Sequence, residues 1–108
     1  MTVQSSPPVE LDVRVPVWGR VHTVAPLVLV GTREPDGSFD LAPKHLAMPL
    51  GLQDWFGFVC TPRHLTYVNA QRERAFTVSY PEPSQLVLTS LAASPRCEDG
   101  SKPAVHEL

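Results

Sequence analysis

Twelve prolines are spread through this 108-residue chain, and they limit the length of every regular element that it can form. Proline lacks a backbone N–H and clashes with the preceding turn of a helix, so it breaks helix interiors and is disfavoured in central strands. These residues bound apolar segments rather than cluster, at Pro7, Pro8, Pro16, Pro26, Pro35, Pro43, Pro49, Pro62, Pro81, Pro83, Pro95 and Pro103. The spacing predicts short strands and short helices and argues against a continuous helical bundle.

Charge and cysteine content exclude several classes of function. The chain has 9 basic and 11 acidic residues, and the basic ones are scattered, which argues against binding to nucleic acid or to an anionic membrane. No apolar run reaches the roughly 20 residues that a membrane span requires. Cys60 and Cys97 lack metal-ligand spacing, and no apolar signal core follows Met1. We therefore expect a reduced, cytoplasmic protein.

The clearest local pattern is a hairpin. The run Leu27–Val30 is apolar and rich in β-branched residues, as in a buried strand. Pro35 and Gly37 then supply the fixed φ and the left-handed position of a tight turn, and Phe39 and Leu41 resume an alternating pattern. The sequence therefore predicts two antiparallel strands joined by this turn.

Other segments also favour strands. Residues 9–15 alternate strictly between apolar and charged side chains, which predicts a half-buried strand. Residues 55–60 are aromatic and apolar and predict a central strand, and residues 75–80 predict another alternating strand. Residues 42–51, cut by two prolines, predict a loop with a short strand.

Two helices are predicted after residue 60. Thr61 is a candidate N-cap with Pro62 at the first helical position, and Leu65 and Val68 would form the apolar stripe of a helix running to about Arg74. A second helix is expected near residue 84, with Ser84 as a candidate cap, and the chain beyond residue 93 is expected to be a loop. We expect residues 1–8 to form a flexible arm and residues 9–108 to form one domain. The predicted class is mainly β with short helices, and an unpaired sheet edge would be covered by further strands or a second subunit.

Three ordered segments carry a resemblance to a known family: LVLVGTREPDGSFDLAP, WFGFVCTPRHLTYVNAQRERAFTVSYP and LAASPRCEDGSKP, within residues 26–103. Together they resemble the N-terminal part of the flavin reductase-like family, the FMN-binding split barrels of the flavoredoxin type. In that family the strand before the DG hairpin leads to a loop that borders the flavin. A later helix carries a threonine and an asparagine, here Thr66 and Asn69.

The resemblance implies a Greek-key-like FMN-binding split β-barrel, of which this chain would supply only part. It implies FMN, or else FAD, as the cofactor, with NADH or NADPH as the electron donor. It also implies a homodimer whose flavin site lies between two subunits. The expected activity is NAD(P)H-dependent flavin reduction, with no catalytic side chain and no metal.

A flavin of this kind needs hydrogen-bond donors and positive charge for its phosphate. The turn that enters the first predicted helix offers Thr61, Arg63, His64 and Thr66. The alternative is that Thr61 only caps the helix and that Arg63 is solvated. Ser79, where a strand ends, is a further candidate contact.

The loop after the hairpin would border the flavin ring or the nicotinamide. Its candidate contacts are Lys44, His45, Leu46, Ala47 and Met48. The alternatives are that the lysine and histidine form a solvated surface pair and that the alanine and methionine are plain core.

Other functions are open as alternatives. The chain would be a non-catalytic split-barrel module that binds flavin or dimerises, or, with less support from the ordered motifs, an oxidase acting on pyridoxine phosphate. Neither GxGxxG nor a Walker pattern occurs, so a Rossmann crevice is not expected. Cys97 lies in a polar loop, and no sequence pattern places a base to activate its thiol, which argues against a cysteine nucleophile.

Overall fold

A computed structural model describes residues 6–21, 24–99 and 101, and its elements are short. Five strands and two α-helices are formed among these residues, with 3₁₀ turns at Trp18–Arg20 and Pro83–Gln85. The elements, in chain order, are β1 Val28–Arg33, β2 Phe39–Lys44, β3 Ala47–Pro49, β4 Phe56–Phe58, α1 Leu65–Glu73, β5 Thr77–Ser79 and α2 Leu86–Leu91. Their lengths agree with the proline spacing.

The larger sheet has three antiparallel strands in the order β2-β1-β5. In the centre of this sheet, Val30 lies opposite both Ala42 and Val78. Gly31 is required here by packing, because a Cβ at this position would run into Thr77 Oγ1 on the neighbouring strand. Strands β2 and β5 therefore pack closely against β1, the middle strand of the sheet.

The predicted hairpin between β1 and β2 is confirmed. Glu34 N–H donates to Ser38 O over 2.8 Å, and Gly37 N–H donates to Glu34 O over 3.0 Å. Gly37 has a φ of +88°, the left-handed conformation that glycine adopts without steric cost. Asp36 Oδ1 also accepts hydrogen bonds from the Ser38 backbone and hydroxyl.

A strand forms within the predicted range of residues 55–60, but it is shorter than predicted and is not central in a sheet. Only Phe56–Phe58 is extended, and it pairs with β3 alone in a separate two-stranded sheet. Ala47 of β3 completes a small core with Val28 and Val30, against which Phe58 packs. The aromatic residues of β4 therefore flank the core and are only half-buried, since no third strand covers them among the described residues.

Helix α1 begins later than predicted, and its buried face is polar. The residue preceding its first turn is His64, so Thr61 is not the cap, and the proline lies outside the helix. Leu65 and Val68 are exposed, whereas Thr66 and Asn69 are buried. The predicted apolar stripe is therefore wrong: α1 packs on β1 through hydrogen-bonding side chains.

The second helix is also capped differently from the prediction. Glu82 precedes the 3₁₀ turn, and its N–H donates to the Gln85 side chain over 2.8 Å in a capping box. Ser84 lies inside that turn and is not the cap. The loop predicted beyond residue 93 is confirmed for the residues described there.

The predicted strand at residues 9–15 is wrong. This segment is exposed and contains a turn, in which the Arg14 guanidinium and backbone N–H both bind the Asp12 carboxylate. The guanidinium of Arg14 holds the pKa of Asp12 below its usual range. A local pair of this kind satisfies both side chains without a neighbouring strand, so sequence alternation alone did not produce sheet pairing.

The described chain is thus a mixed fold, mainly β, with two short helices and two small antiparallel sheets. Its described strands do not close into a barrel. No described helix is long and apolar enough to cross a membrane. Most of the predicted arm, residues 1–5, lies outside the described residues.

Candidate functional site

A pocket of about 410 Å³ opens where the start of α1 meets the end of β2. It is lined by Lys44, Arg63, His64 and Thr66. The segment 92–96, which follows α2, forms its other wall. Four of the candidate flavin contacts, from two separate regions of the sequence, therefore meet in one place. We refer to this feature as the cationic pocket.

The first turn of α1 faces the pocket. His64 N–H donates to Thr61 O over 3.0 Å, which closes a turn just before the helix. Tyr67 and Val68 N–H groups then donate to His64 O over 3.0 and 3.2 Å. The backbone N–H groups at a helix start have no partner within the helix, and the helix dipole makes this end positive. The turn is therefore suited to an anionic group.

Charged side chains reinforce this preference. In the part of the chain that the structure describes, Lys44, Arg63 and Arg96 line the pocket together with one carboxylate, that of Asp40. Lys44 is half-buried at the end of β2, whereas Arg63 is exposed at the rim. Thr66, only 3% exposed, adds a hydroxyl at the base of the helix. Because Arg96 is paired with Asp40 and with Glu34, the positive charge of the pocket comes from Lys44 and Arg63.

Arg96 builds one wall of the pocket by joining the C-terminal loop to the hairpin. Its Nη2 donates to Glu34 Oε1 over 2.6 Å and lies 2.8 Å from Asp40 Oδ1. The carboxylate of Asp40 is buried, so its charge needs this partner. Sequence reasoning missed this residue, because 62 positions separate it from Glu34 and no local pattern marks the pair.

A second polar network fixes α1 on the sheet. Buried Asn69 donates from Nδ2 to Thr32 Oγ1 over 3.4 Å, and Arg72 donates to Asn69 Oδ1 over 3.0 Å. Arg72 also donates to the backbone carbonyl of Arg33. These bonds tie one face of α1 to β1 and thereby hold the start of the helix beside Lys44.

His64 has a side-chain contact away from the helix axis. Its Nδ1 lies 3.7 Å from Cys60 Sγ, and the ring tautomer decides which of the two atoms donates. Both cysteines are free thiols. The contact orients the imidazole of the residue whose backbone begins α1.

The other candidate contacts do not line the cationic pocket. His45, Leu46 and Met48 are exposed around the connection from β2 to β3, and Ala47 is fully buried in the core. The remaining two, Thr61 and Ser79, are exposed on the turn before α1 and on β5. The core alternative thus describes Ala47, and the candidates of the loop are otherwise surface residues.

Among residues 6–21, 24–99 and 101, no group of three or more His, Cys, Asp or Glu side chains is arranged to hold a metal ion. None of the protein-family models, curated proteins or solved structures compared with the chain matches it. The cationic pocket is therefore the candidate functional site.

Proposed function

We propose that the chain is a flavin-binding oxidoreductase domain of the flavin reductase-like type, in which NADH or NADPH reduces a bound FMN. The observation that carries the proposal is the cationic pocket, in which Lys44, Arg63 and the start of α1 converge. A phosphate monoester carries about −1.5 to −2 charges at neutral pH, which suits a site lined by the two cations Lys44 and Arg63 beside the start of a helix. FMN, with its terminal phosphate, fits this site better than riboflavin does.

The protein's part in such a reaction is to bind and orient. A flavin, when bound, supplies the hydride-accepting ring, so no acid or base of the chain has to react. Arg63 and Lys44 would hold the phosphate, and Thr66 would add a hydroxyl hydrogen bond. His45, Leu46 and Met48 follow Lys44 along the chain and are exposed, so they are accessible to the ring or to the nicotinamide.

The fold we propose is a split barrel of which the described strands form part, in a cytoplasmic homodimer. Several large apolar side chains outside the cationic pocket are exposed and would suit subunit contact: Leu50, Leu52, Trp55 and Val59. The same surface favours a second candidate function, a split-barrel module that dimerises without reducing flavin. Oxidation of NADH or NADPH separates the two, because the module predicts none, whether or not it retains FMN.

The first test is an absorbance spectrum from about 300 to 550 nm, recorded before and after FMN is added and the protein is desalted; bound flavin is expected to remain because the site is formed in the folded chain. Steady-state oxidation of NADH and of NADPH with FMN present then tests the reaction. Retained FMN with no oxidation of either nucleotide would contradict the reductase activity and favour the module.

Arg63→Ala tests the phosphate site itself. Removing one guanidinium from a partly exposed phosphate site should weaken FMN by about tenfold, while riboflavin, which has no phosphate, should be almost unaffected. Arg14→Ala is the matched control, because Arg14 is exposed and does not line the pocket. An equal loss of affinity for both flavins in Arg63→Ala would show that Arg63 does not bind the phosphate.

A further inference from the structure

A second and larger cavity lies on the other side of Arg96. It has a volume of about 890 Å³, and its walls are the β1–β2 turn, α2 and the loop after α2. This volume is in the range of pockets that hold drug-sized molecules, roughly 300–1,000 Å³. We call it the acidic groove, for the charges described below.

The groove has apolar walls. Leu29 and Leu41 of the hairpin strands, Leu65 at the start of α1 and Leu88 of α2 contribute aliphatic side chains, and Phe39 contributes an aromatic ring. Phe39, Leu41 and Leu88 are exposed in the described chain. An apolar molecule bound here would remove this surface from water.

One buried polar atom in the groove lacks a partner. Thr89, on α2, is 2% exposed and lines the groove. Its Oγ1 makes no hydrogen bond to any part of the chain that the structure describes. A buried hydroxyl without a partner costs free energy, so a ligand that hydrogen-bonds to it gains affinity. This atom marks where a polar group of the ligand would lie.

Carboxylates dominate the charge of the groove. Among the described residues, the groove is lined by Glu34, Asp36, Asp40 and Asp99 and by one cation, Arg96, which already binds two of the four carboxylates. The other two, Asp36 and Asp99, each accept hydrogen bonds from a serine hydroxyl and backbone N–H, which lower the pKa of each carboxyl. Both are therefore ionised at neutral pH and leave the groove with negative charge.

We propose that the acidic groove binds a small organic cation, an amine attached to an apolar aromatic or aliphatic body. The leucines and Phe39 receive the body, the carboxylates of Asp36 and Asp99 attract the ammonium group, and Thr89 accepts one of its hydrogen bonds or donates to a neighbouring polar atom. Neither an anion nor a purely apolar molecule matches all three features. The groove shares Asp40 and Arg96 with the cationic pocket, but the proposal does not rest on flavin binding, because the carboxylates of the groove disfavour a phosphate.

The probes are three molecules of one shape: 4-phenylbutylamine, 4-phenylbutan-1-ol and 4-phenylbutanoate. Ligand-observed NMR on the full 108-residue chain measures the three dissociation constants. We expect the amine to bind about fivefold more tightly than the alcohol, the gain typical of partly exposed ion pairs, and the carboxylate to bind least. Equal affinities for the three, or binding of none, would overturn the proposal.

Substitutions locate the binding. Leu88→Arg places a cation on the groove wall and should abolish amine binding, whereas Leu52→Arg, at an exposed leucine outside the groove, should leave it unchanged. Thr89→Val preserves the shape of the side chain and should weaken the amine by about fivefold. Amine binding that survives in Leu88→Arg would contradict this site.

A second copy of the chain is the competing occupant. If the groove were filled by a subunit, Leu88→Arg would dissociate a dimer in sedimentation and the amine would bind neither wild type nor variant. That result would overturn the small-cation proposal. FMN retention is measured on the wild-type chain without the amine, so a failure of this test is distinguishable from a failure of the proposed function.

Discussion

The cationic pocket and the acidic groove share lining residues, yet their charges are opposite. Asp40, Leu65, Ala92 and Arg96 border both cavities. On one side the shared residues meet Lys44 and Arg63, and on the other they meet a set of carboxylates. The ion pair of Arg96 and Asp40 thus lies between two cavities of opposite charge. The residues around this pair, and not the pair itself, determine the charge of each cavity.

The two cavities also differ in how they are supported. The cationic pocket lies at the start of α1, which the network of Asn69 and Arg72 fixes to β1. The acidic groove lies along α2, a helix of six residues whose buried threonine is unpaired within the described chain. We therefore expect changes in the groove to be tolerated more easily than changes in the pocket, apart from those that affect Arg96.

Arg96→Ala should produce the largest effect, because it alters both cavities at once. It leaves the Asp40 carboxylate buried without its guanidinium partner, and we expect a loss of about 2 kcal/mol in the free energy of unfolding. Chemical denaturation measures this, and FMN affinity should fall in the same variant. Arg14→Ala removes a fully exposed ion pair and should cause no measurable loss. Equal stability of the two variants would show that Arg96 does not join the loop to the hairpin.

Gly37→Val should produce the next largest effect, and it should affect ligand binding in only one of the two cavities. The left-handed φ of +88° is strained for a β-branched residue, at a cost of about 1–2 kcal/mol. The altered turn is part of the groove wall, so amine binding should weaken while FMN binding stays. Gly19→Val is the matched control, because no atom lies within 4 Å of its added Cβ and its φ is not positive. Loss of FMN binding in folded Gly37→Val protein would mean that the cavities are not independent.

Ser38→Ala should have the smallest effect, confined to the groove. The Ser38 hydroxyl is the main cause of the lowered pKa of Asp36, so its removal should raise that pKa toward the ordinary value of 3.8. A lowered folded-state pKa stabilises the fold above pH 3.8, and this contribution is lost as the pH falls through the folded value. The variant should therefore be less stable than wild type at neutral pH, with the difference vanishing in acid.

An NMR titration of the Asp36 carboxyl carbon measures this pKa directly. Ser101→Ala is the control, since Ser101 makes the same pair of hydrogen bonds to Asp99 and should leave Asp36 unchanged. An Asp36 pKa that is the same in wild type and Ser38→Ala would show that the turn hydrogen bond does not form in solution.

Local patterns predicted the parts of the fold that local chemistry determines. The hairpin follows from a proline, a glycine and two apolar runs within 15 residues, and it formed as predicted. Thr66 was predicted from the turn that enters α1, and it lines the cationic pocket together with Arg63 and His64 of the same turn. In these cases the interacting groups are close in sequence.

Long-range polar contacts were not predictable from single-sequence patterns. Asn69 is accommodated on the buried face of α1 because Thr32 of β1 offers it a hydrogen-bond partner, which no helical periodicity reveals. Arg96 meets Glu34 only after the chain has folded. The alternation at residues 9–15 predicted a strand that does not form. A strand needs a neighbouring strand, whereas here Asp12 pairs with Arg14 in the same segment.

The most direct test of the central claim is a fluorescence titration of the wild-type chain with FMN and, in parallel, with riboflavin. If the cationic pocket holds the flavin phosphate, FMN should bind about tenfold or more tightly than riboflavin, and the advantage should shrink as salt screens the charges. Equal dissociation constants for the two flavins at low salt would contradict the account, because the phosphate would then gain nothing from Lys44, Arg63 and the start of α1.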